Sequence, residues 1–350
     1  MNKPVMTSMQ RVLTTLSHQE PDRVPLFLLP TLHGARELGL SIKDYFASAE
    51  NVVRGQLLLR KKYQNDCLDA FFYAPIEVEA WGGEVIYRED GPPNSGEPFI
   101  RSLDQIKALE PPRPAETPCL RKVLDAIDLM KKAVQDEVPI IAVVISPFSL
   151  PVMQLGFDRY LDLLYEQPAI FWNLMQINIE FCVAWANAQV QAGATAICYF
   201  DPLSSPTNIP RDLFIKTGFP IARQVFSRIK SPIVMHLASG STIGILDDII
   251  SLGAAVVCVS AAENLTEIKK LCRNKLTILG NMNGITMRHW TPSQAEDIIK
   301  NILRQAGSGG GFILSDNHGE IPYQVADEIL LNIAALVRKW GIYPLDWTSV

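Results

Sequence analysis

The sequence has no excess of positive charge and no long apolar run. Its 32 Lys and Arg are outnumbered by 37 Asp and Glu, which gives a formal net charge of -5. Nucleic-acid backbones and anionic membranes bind to basic surfaces, so this charge balance disfavours both as partners. No stretch approaches the roughly 20 apolar residues that cross a bilayer, and the N-terminus lacks the apolar core of a signal peptide. The sequence therefore predicts a soluble, cytoplasmic protein without a nucleic-acid or membrane partner.

Paired cysteines and nucleotide-binding loops are also absent. None of the six cysteines forms a CxxC pair, which disfavours a zinc ribbon, a redox dithiol and a disulfide scaffold, and predicts reduced, mostly buried thiols. No GxGxxG follows the first apolar run, and this weakens the nucleotide-binding form of an open, doubly wound sheet. The six residues are Cys67, Cys119, Cys182, Cys198, Cys258 and Cys272.

Eight short apolar runs are present, and helical segments separate them. The 350 residues, 48% of them hydrophobic, suffice for one barrel-sized core. Strands alternating with helices are typical of a (β/α)8 TIM barrel, which we predict as a single domain over residues 1–350 after an N-terminal helical segment. A doubly wound open sheet is the alternative. The predicted strands are 24–29, 67–73, 138–146, 195–200, 232–237, 254–260, 276–281 and 311–315, and the later helices are 168–193, 210–229, 241–252, 264–273 and 291–306.

Two segments exceed what a minimal barrel needs. Residues 76–101 combine a Gly-Gly pair, the alternating stretch GEVIYRE and a Gly/Pro cluster, which predicts a β-hairpin inserted after the second strand. Glu77 and Glu79 alternate with Val78, so we expect both on one side of an extension of that strand. Residues 110–118 are rich in proline and predict a surface connector.

Polar residues follow the last five predicted strands. In a TIM barrel the loops after the strands build the active face, so these residues are expected at a common site. His236 and His318, two of only five histidines, fall at two of these strand ends. The other polar residues at strand ends are Asp201, Ser204, Ser205, Ser239, Ser260, Glu263, Asn281, Asn283, Asp316, Asn317 and Glu320.

Each of these residues also has a structural interpretation. His236 either binds a metal, moves a proton or satisfies a hydrogen bond, and His318 suits acid–base work as well as ligation. Asp201 either contacts substrate or caps the following helix. Glu263 precedes a helix and is either a site residue or a first-turn carboxylate that stabilises the helix dipole.

Seven segments, taken together in their order and spacing, are distinctive. These segments are RVLTTLSHQEPDRVPLF at 11–27, LDAFFYAPIEVEAWGGEVIYREDGPP at 68–93, ISPFSLPVMQLG at 145–156, QAGATAICYFDPLSS at 191–205, VMHLASG at 234–240, LTILGNMNG at 276–284 and GFILSDNHGEIP at 311–322. With these segments the chain resembles the uroporphyrinogen decarboxylase superfamily, and within it the branch of cobalamin-dependent methyltransferases. The resemblance implies the TIM-barrel fold.

The decarboxylase pattern is incomplete. The resemblance implies an Arg-rich loop after strand one and an aspartate near the end of strand two. Here the loop offers only Arg36, and residues 72–76 contain no carboxylate. A porphyrinogen with several carboxylates needs several guanidinium partners, so decarboxylation of a porphyrinogen is disfavoured.

The zinc site of the methyltransferase branch is altered. The resemblance implies zinc held by a His-x-Cys after strand five and a Cys in the turn after strand eight. This chain has His236 followed by Ala238, and His318 in the later turn. We therefore expect any zinc to use nitrogen and oxygen ligands, namely His236, His318 and Glu320, with Glu263 or Glu79 as the alternative carboxylate.

The resemblance implies a methyltransferase that moves a methyl group between a small substrate and a corrinoid. The small substrate is a thiol, a methylamine, a methoxyaromatic or a folate. No D-x-H-x-x-G motif is present, so the corrinoid is expected on a partner protein. The alternatives are a tetrapyrrole lyase and a corrinoid- or tetrapyrrole-binding protein without activity.

The resemblance also implies roles for individual residues, and relatives that pair through the barrel make a homodimer the expected assembly. The expected catalytic residues are His236, His318, Asp201 and Glu263, and the expected cofactor-binding residues are Ser205, Asn281, Asn283 and Asn317.

Overall fold

Eight parallel strands form a curled sheet that closes into a (β/α)8 barrel, as predicted. The computed structural model describes residues 5–349. The barrel strands adjoin in the order β1, β10, β9, β8, β7, β6, β5, β2. All eight predicted strands are confirmed, because each lies within its predicted apolar run or one residue beyond it. The strands are β1 Leu26–Phe27, β2 Leu68–Asp69, β3 Val85–Ile86, β4 Asn94–Ser95, β5 Ile140–Ile145, β6 Ala196–Phe200, β7 Ile233–His236, β8 Val256–Cys258, β9 Thr277–Met282 and β10 Phe312–Asp316.

The helices surround the barrel, and the N-terminal helix α1 precedes the first strand. They are α1 Ser8–Leu16, α2 His33–Leu38, α3 Ile42–Tyr45, α4 Ala49–Tyr63, α5 Ile76–Ala80, α6 Leu103–Lys107, α7 Pro118–Val134, α8 Pro151–Leu155, α9 Phe157–Glu166, α10 Pro168–Ala192, α11 Arg211–Lys216, α12 Gly218–Phe226, α13 Leu246–Leu252, α14 Leu265–Cys272, α15 Gly284–Met287, α16 Pro292–Ala306 and α17 Asp327–Trp340. Short 3-10 helices occupy Pro202–Ser204, Ile243–Ile245 and Asp346–Ser349. None of these helices is long and apolar enough to cross a membrane.

Two helix predictions were too long. The predicted helix 210–229 is divided into α11 and α12, because Thr217 leaves the helical conformation with φ -130° and ψ -77°. Only the last seven residues of segment 241–252 are α-helical, and a 3-10 turn precedes them. The predictions for 168–193, 264–273 and 291–306 are confirmed within one residue at each end.

The predicted hairpin is present, but it is short. Strands β3 and β4 pair in antiparallel fashion, with Val85 opposite Ser95 and Ile86 opposite Asn94. The expectation that Glu77 and Glu79 extend the second strand is wrong, because both lie on helix α5. On this helix Glu77 accepts a hydrogen bond of 2.8 Å from the Ile145 backbone amide.

Side chains connect the first barrel strand to the residues before the second. The Asn65 side chain accepts from the Leu28 amide (2.9 Å) and donates to the Leu28 carbonyl (3.0 Å). The carboxylate of Asp66 accepts from the Leu26 amide at 2.8 Å and from two arginines, Arg11 (2.6 Å) and Arg23 (2.7 Å). These contacts satisfy backbone groups that would otherwise be unpaired at the sheet edges.

Two further predictions, on the cysteines and on the proline-rich connector, are confirmed. All six cysteines are free and buried. The proline-rich connector 110–118 is exposed or half-exposed, and helix α7 begins at Pro118.

Candidate functional site

A cavity of about 220 Å³ runs along the barrel axis, and we call it the axial cavity. Its lining extends from the carboxyl ends of the strands to Met9, Val12, Leu13 and Leu16 on helix α1. At the carboxyl ends the lining is polar and aromatic, and we call this part the mouth. The mouth consists of Asp69, Phe71, Phe200, His236, His318 and Glu320.

His236 stands at the end of β7 with a free nitrogen. Its Nδ1 accepts a hydrogen bond of 3.0 Å from the Ala238 amide, so the neutral ring carries its proton on Nε2. This Nε2 is buried and has no hydrogen-bond partner among residues 5–349. Burial lowers the pKa of His236 to about 4, and the nearby His318 adds to this effect. At neutral pH the imidazole is therefore an uncharged donor.

The turn after β10 packs against the His236 ring. A Cβ at position 319 would lie 3.4 Å from its Nε2, and the backbone there has φ +90°, so glycine suits the position. In the same turn Asp316 accepts from the backbone amides of His318 and Gly319, both at 3.1 Å. The His318 ring contacts Asn283 Oδ1 at 3.3 Å, and burial lowers its pKa. The two predicted histidines thus meet at one site.

Asp69, the last residue of β2, brings a buried carboxyl into the mouth. Its Oδ1 accepts from the Phe71 amide at 3.0 Å, while Oδ2 is buried without a hydrogen-bond partner in the described chain. Burial raises the pKa of Asp69 to about 8, and the charges of Glu320 and Asp316 contribute. Asp69 is therefore largely protonated at neutral pH and can give up a proton.

Two further acids titrate near neutrality. Burial raises the pKa of Glu320 to about 7, and the hydrogen bond of 2.7 Å from Thr31 Oγ1 lowers it in part. Burial also raises the pKa of Asp316 to about 6. Because the three carboxyls repel one another when charged, they share protons at neutral pH. Of the three, Asp69 and Glu320 line the axial cavity, and perturbed acids in a cavity are typical of sites that move protons.

The carboxyl groups of Asp201 and Glu263 accept hydrogen bonds from loop residues outside the axial cavity. The hydroxyls of Ser146, Ser149 and Ser204 donate to Asp201 at 2.6, 2.6 and 2.5 Å. Glu263 accepts from Ser241, from the Thr242 and Ile243 amides and from Ser260. Within residues 5–349, neither carboxylate belongs to the lining of the axial cavity. Both hold loops at the barrel's active face, and we assign them no direct chemical role.

The four residues expected to bind a cofactor also hold loops. Ser205 donates to the Ser241 carbonyl at 2.9 Å, and Asn281 donates to the Ser260 carbonyl at 3.0 Å. Asn283 caps helix α15. With its amide turned to satisfy both ends, Asn317 donates to the Met282 carbonyl and accepts from the Ala261 amide. In the described part of the chain, none of the four lines the axial cavity.

The geometry does not assemble the expected zinc site. Over residues 5–349, no three His, Cys, Asp or Glu side chains are placed to hold one metal ion. A catalytic zinc needs three protein ligands converging on one point, and the expected set was His236, His318 and Glu320. As placed in residues 5–349, these three side chains do not converge on one point, and the chemistry below uses the chain's own residues alone.

Basic side chains are absent from the lining of the axial cavity, as far as residues 5–349 are concerned. Arg36, the one arginine expected in the substrate loop, is engaged elsewhere. It donates to the carbonyls of Tyr323 and Val325, and its guanidinium lies 4.5 Å from the centre of the Tyr323 ring. The mouth is therefore acidic and has no cation to balance an anionic ligand.

Asp69 lies inside a predicted apolar strand and is not among the predicted site residues; it places at the end of β2 a carboxyl group that residues 72–76 lack. A signal was available in the run CLDAFFY, where an ionisable residue alternates with Cys67 and Phe71. Alternate residues of a strand share one face, and all three line the axial cavity.

The chain is similar to known proteins over nearly its whole length. The profile of the family Uroporphyrinogen decarboxylase (URO-D) matches residues 7–340. Uroporphyrinogen decarboxylase from Hydrogenovibrio crunogenus is 23% identical over 332 residues, covering 89% of this chain and 92% of that protein. The same enzyme from Coxiella burnetii is 24% identical over 347 residues, covering 94% and 93%.

A solved structure shares the fold. A methyltransferase from Methanosarcina mazei superposes with a TM-score of 0.84 at 21% identity, covering 96% of this chain and 99% of that chain. A B12-independent methionine synthase from Shewanella superposes less well, with a TM-score of 0.51 at 15% identity, covering 85% and 89%. The two structural likenesses show the fold, and the profile match shows that the chain belongs to the uroporphyrinogen decarboxylase family.

Proposed function

We propose that this protein transfers a methyl group between a heteroatom of a small substrate and a corrinoid carried by a partner protein. One observation carries the proposal: the cavity offers protonated carboxyls and a neutral imidazole, and among residues 5–349 no Lys or Arg lines it. These groups suit proton exchange with a leaving or attacking heteroatom. The other features of the site narrow the choice of substrate.

The charge of the mouth argues against anionic substrates. Porphyrinogens and folates carry carboxylates that need guanidinium or ammonium partners. Placed at this mouth, such a substrate would meet Asp69 and Glu320 instead, and repulsion would raise their pKa values further. An uncharged or cationic substrate meets no such repulsion. This leaves thiols, methylamines and methoxyaromatics from the expected substrate classes.

The chain's own residues supply the proton that methyl transfer requires. As the bond between methyl carbon and heteroatom breaks, its electron pair stays on the heteroatom, which then needs a proton. Asp69 Oδ2 carries a proton at neutral pH and has no competing partner in the described chain, so we assign it as the proton donor. In the reverse direction the Asp69 carboxylate takes the proton from an attacking thiol.

His236 and Glu320 assist Asp69, the first by binding the substrate and the second through its charge. The Nε2–H of His236 donates no hydrogen bond to residues 5–349, so it can donate one to the substrate heteroatom. Burial raises the pKa of Asp69 to about 8, and the charge of Glu320 adds to this effect. The corrinoid supplies the centre that accepts or gives the methyl group when the partner delivers it. The apolar walls of the cavity exclude water from the reacting atoms.

Decarboxylation of a tetrapyrrole is the second candidate. The two similar proteins from Hydrogenovibrio crunogenus and Coxiella burnetii, both uroporphyrinogen decarboxylases, favour it. The structural neighbour named as a methyltransferase favours the first candidate, although its identity of 21% carries only the fold. The acidic mouth supports the first candidate, because among residues 5–349 its lining offers no Lys or Arg to pair with a polycarboxylate.

A comparison of two reactions on one preparation tests the proposal. Free cob(I)alamin is mixed with the protein and with methoxybenzene, trimethylamine or dimethyl sulfide, and its visible absorbance is followed. Uroporphyrinogen is supplied to a second portion, and release of carbon dioxide is measured. We expect consumption of cob(I)alamin with at least one methyl donor and no carbon dioxide. Carbon dioxide without methyl transfer would establish the second candidate.

A further inference from the structure

The axial cavity continues below the mouth, along the inside of the barrel. Three residues from neighbouring strands form one level of its wall, because Cys198 pairs in register with Val234 and Val234 with Val256. Inside the barrel, all three side chains line the cavity and retain 8%, 7% and 5% exposure. Residues one position along the same strands point outward; Met235 and Val257 are fully buried there, at 0% exposure.

This interior is more open than that of an ordinary TIM barrel. Layers of bulky side chains, four to a layer, normally fill the axis completely. Here small side chains occupy several inward positions, among them Cys67, Ala196 and Cys198. The remaining space of about 220 Å³ exceeds the roughly 150 Å³ of an engineered apolar cavity that stays dry and takes up benzene.

Helix α1 forms the floor of the cavity at the amino ends of the strands. Met9, Val12 and Leu16 line it from this helix. The helix is held in place by Arg11, which is paired with Asp22 and with Asp66 at 2.6 Å each, and by the Met9 amide, which donates to the Glu137 carbonyl at 2.8 Å. The floor is thus a fixed part of the fold and limits how deep a ligand can reach.

The axial cavity has two parts that differ in polarity. Every ionisable carboxyl or imidazole in its lining, among the residues the structure describes, belongs to the mouth. Below the mouth the walls are aliphatic, aromatic or thiol-bearing except at Thr195, whose hydroxyl accepts a hydrogen bond of 3.1 Å from the Ile140 amide. The thiols are held neutral because burial raises the pKa of Cys198 and of Cys67. A ligand that fills both parts has a polar, reacting end and an uncharged, apolar remainder.

We infer that the barrel axis binds an uncharged alkyl or aryl group of the substrate, while the mouth holds the heteroatom that carries the methyl group. The identity of the reacting end rests on the proposed function; the apolar site below it does not. The length of group that the enzyme accepts then depends on Cys198, Val234 and Val256, and helix α1 sets its maximum.

A series of n-alkylbenzenes tests this inference. Binding of toluene through hexylbenzene to the full chain is measured by isothermal titration calorimetry. Each added methylene is expected to raise affinity about fourfold until the chain reaches the floor, after which affinity falls. Val234→Leu narrows the axis and is expected to move the optimum to a shorter chain. Val234→Ala widens it and is expected to move the optimum to a longer one.

Opposite shifts from two substitutions at one position cannot arise from general destabilisation. Equal affinity across the series, or the same loss for all lengths in both variants, would overturn the inference. Alkylbenzenes carry no transferable methyl group, so their binding is independent of the proposed reaction. Length-dependent binding without methyl transfer would leave the apolar site standing and reject the proposed function alone.

Discussion

Thr31 and Glu320, 289 residues apart in the sequence, are joined by a hydrogen bond of 2.7 Å across the mouth of the barrel. Thr31 follows the first barrel strand, and Glu320 lies in the turn after the last. The bond therefore closes the ring of loops at the point where β1 and β10 adjoin. It also stabilises the ionised carboxylate and opposes the burial that raises the pKa of Glu320 to about 7.

Thr31→Val is expected to raise the pKa of Glu320 above about 7, because it removes the donor that favours the charged form. Carbon-13 NMR titration of the glutamate carboxyl carbons measures this, with Glu320→Gln to assign the resonance. Thr242→Val is the matched control, since Thr242 donates to Glu263 outside the cavity. An unchanged Glu320 titration in Thr31→Val would show that the bond does not govern this carboxyl.

Asp69→Asn is expected to flatten the dependence of folding stability on pH. With a pKa of about 8 when folded and an ordinary value of 3.8, Asp69 binds a proton only in the folded state across that interval. Its contribution to stability therefore falls as pH rises from 3.8 to about 8. Thermal unfolding at pH 5 and pH 8 measures the effect, and the gain in Tm from Asp69→Asn should be larger at pH 8.

Glu77→Gln provides the comparison for Asp69. Burial also raises the pKa of Glu77 to about 8, but Glu77 packs behind β5, where it accepts from the Ile145 amide. Its substitution should flatten the same pH dependence without affecting methyl transfer. A loss of turnover in Glu77→Gln equal to that in Asp69→Asn would mean that both act only through stability.

His236→Phe is expected to protect the fold at low pH while reducing turnover. The buried imidazole has a pKa of about 4 against an ordinary 6.5, so below pH 6.5 the unfolded chain takes up a proton that the folded chain does not. Stability is therefore lost as pH falls from 6.5 to about 4, and phenylalanine removes this loss. Acid unfolding followed by circular dichroism measures it. The exposed His289→Phe should change neither property.

Val256→Ile is expected to stabilise the protein, because it adds a methylene group to an empty part of the axis. Burying that group contributes up to about 1 kcal/mol to the free energy of unfolding. Val257→Ile is the matched control: Val257 faces the helices at 0% exposure, where an extra methylene overpacks the core and costs about 1–3 kcal/mol. Urea unfolding distinguishes the two, and equal destabilisation of both variants would show that the axis is already filled.

The barrel could be predicted from the sequence because its strands are buried on both sides. Continuous apolar runs such as PIVMHL and AAVVCVS are typical of such strands and mark them without reference to partners. Helix α5 could not be predicted in this way. The alternation of Glu77, Val78 and Glu79 resembles a strand, and the contact that buries Glu77 comes from β5, 68 residues away along the chain.

The site was predictable only in part, for a similar reason. Strand ends indicated His236, His318 and Glu320, and all three line the axial cavity, since the barrel brings all carboxyl ends to one face. They also indicated Asp201 and Glu263, whose carboxylates accept hydrogen bonds from hydroxyl and amide donors in neighbouring loops. Only the three-dimensional arrangement separates an acid that faces a cavity from one that holds a loop.

The rate of cob(I)alamin methylation by the wild-type chain and by Asp69→Asn, at pH 7 and with the same methyl donor, tests the account most directly. Asparagine keeps the shape of the side chain but cannot donate an acidic proton. We expect kcat/KM to fall at least about 100-fold in this variant, in line with the loss of a general acid, while Glu77→Gln remains near wild type. Equal rates for wild type and Asp69→Asn would contradict the assignment of the mouth as the proton-transferring site.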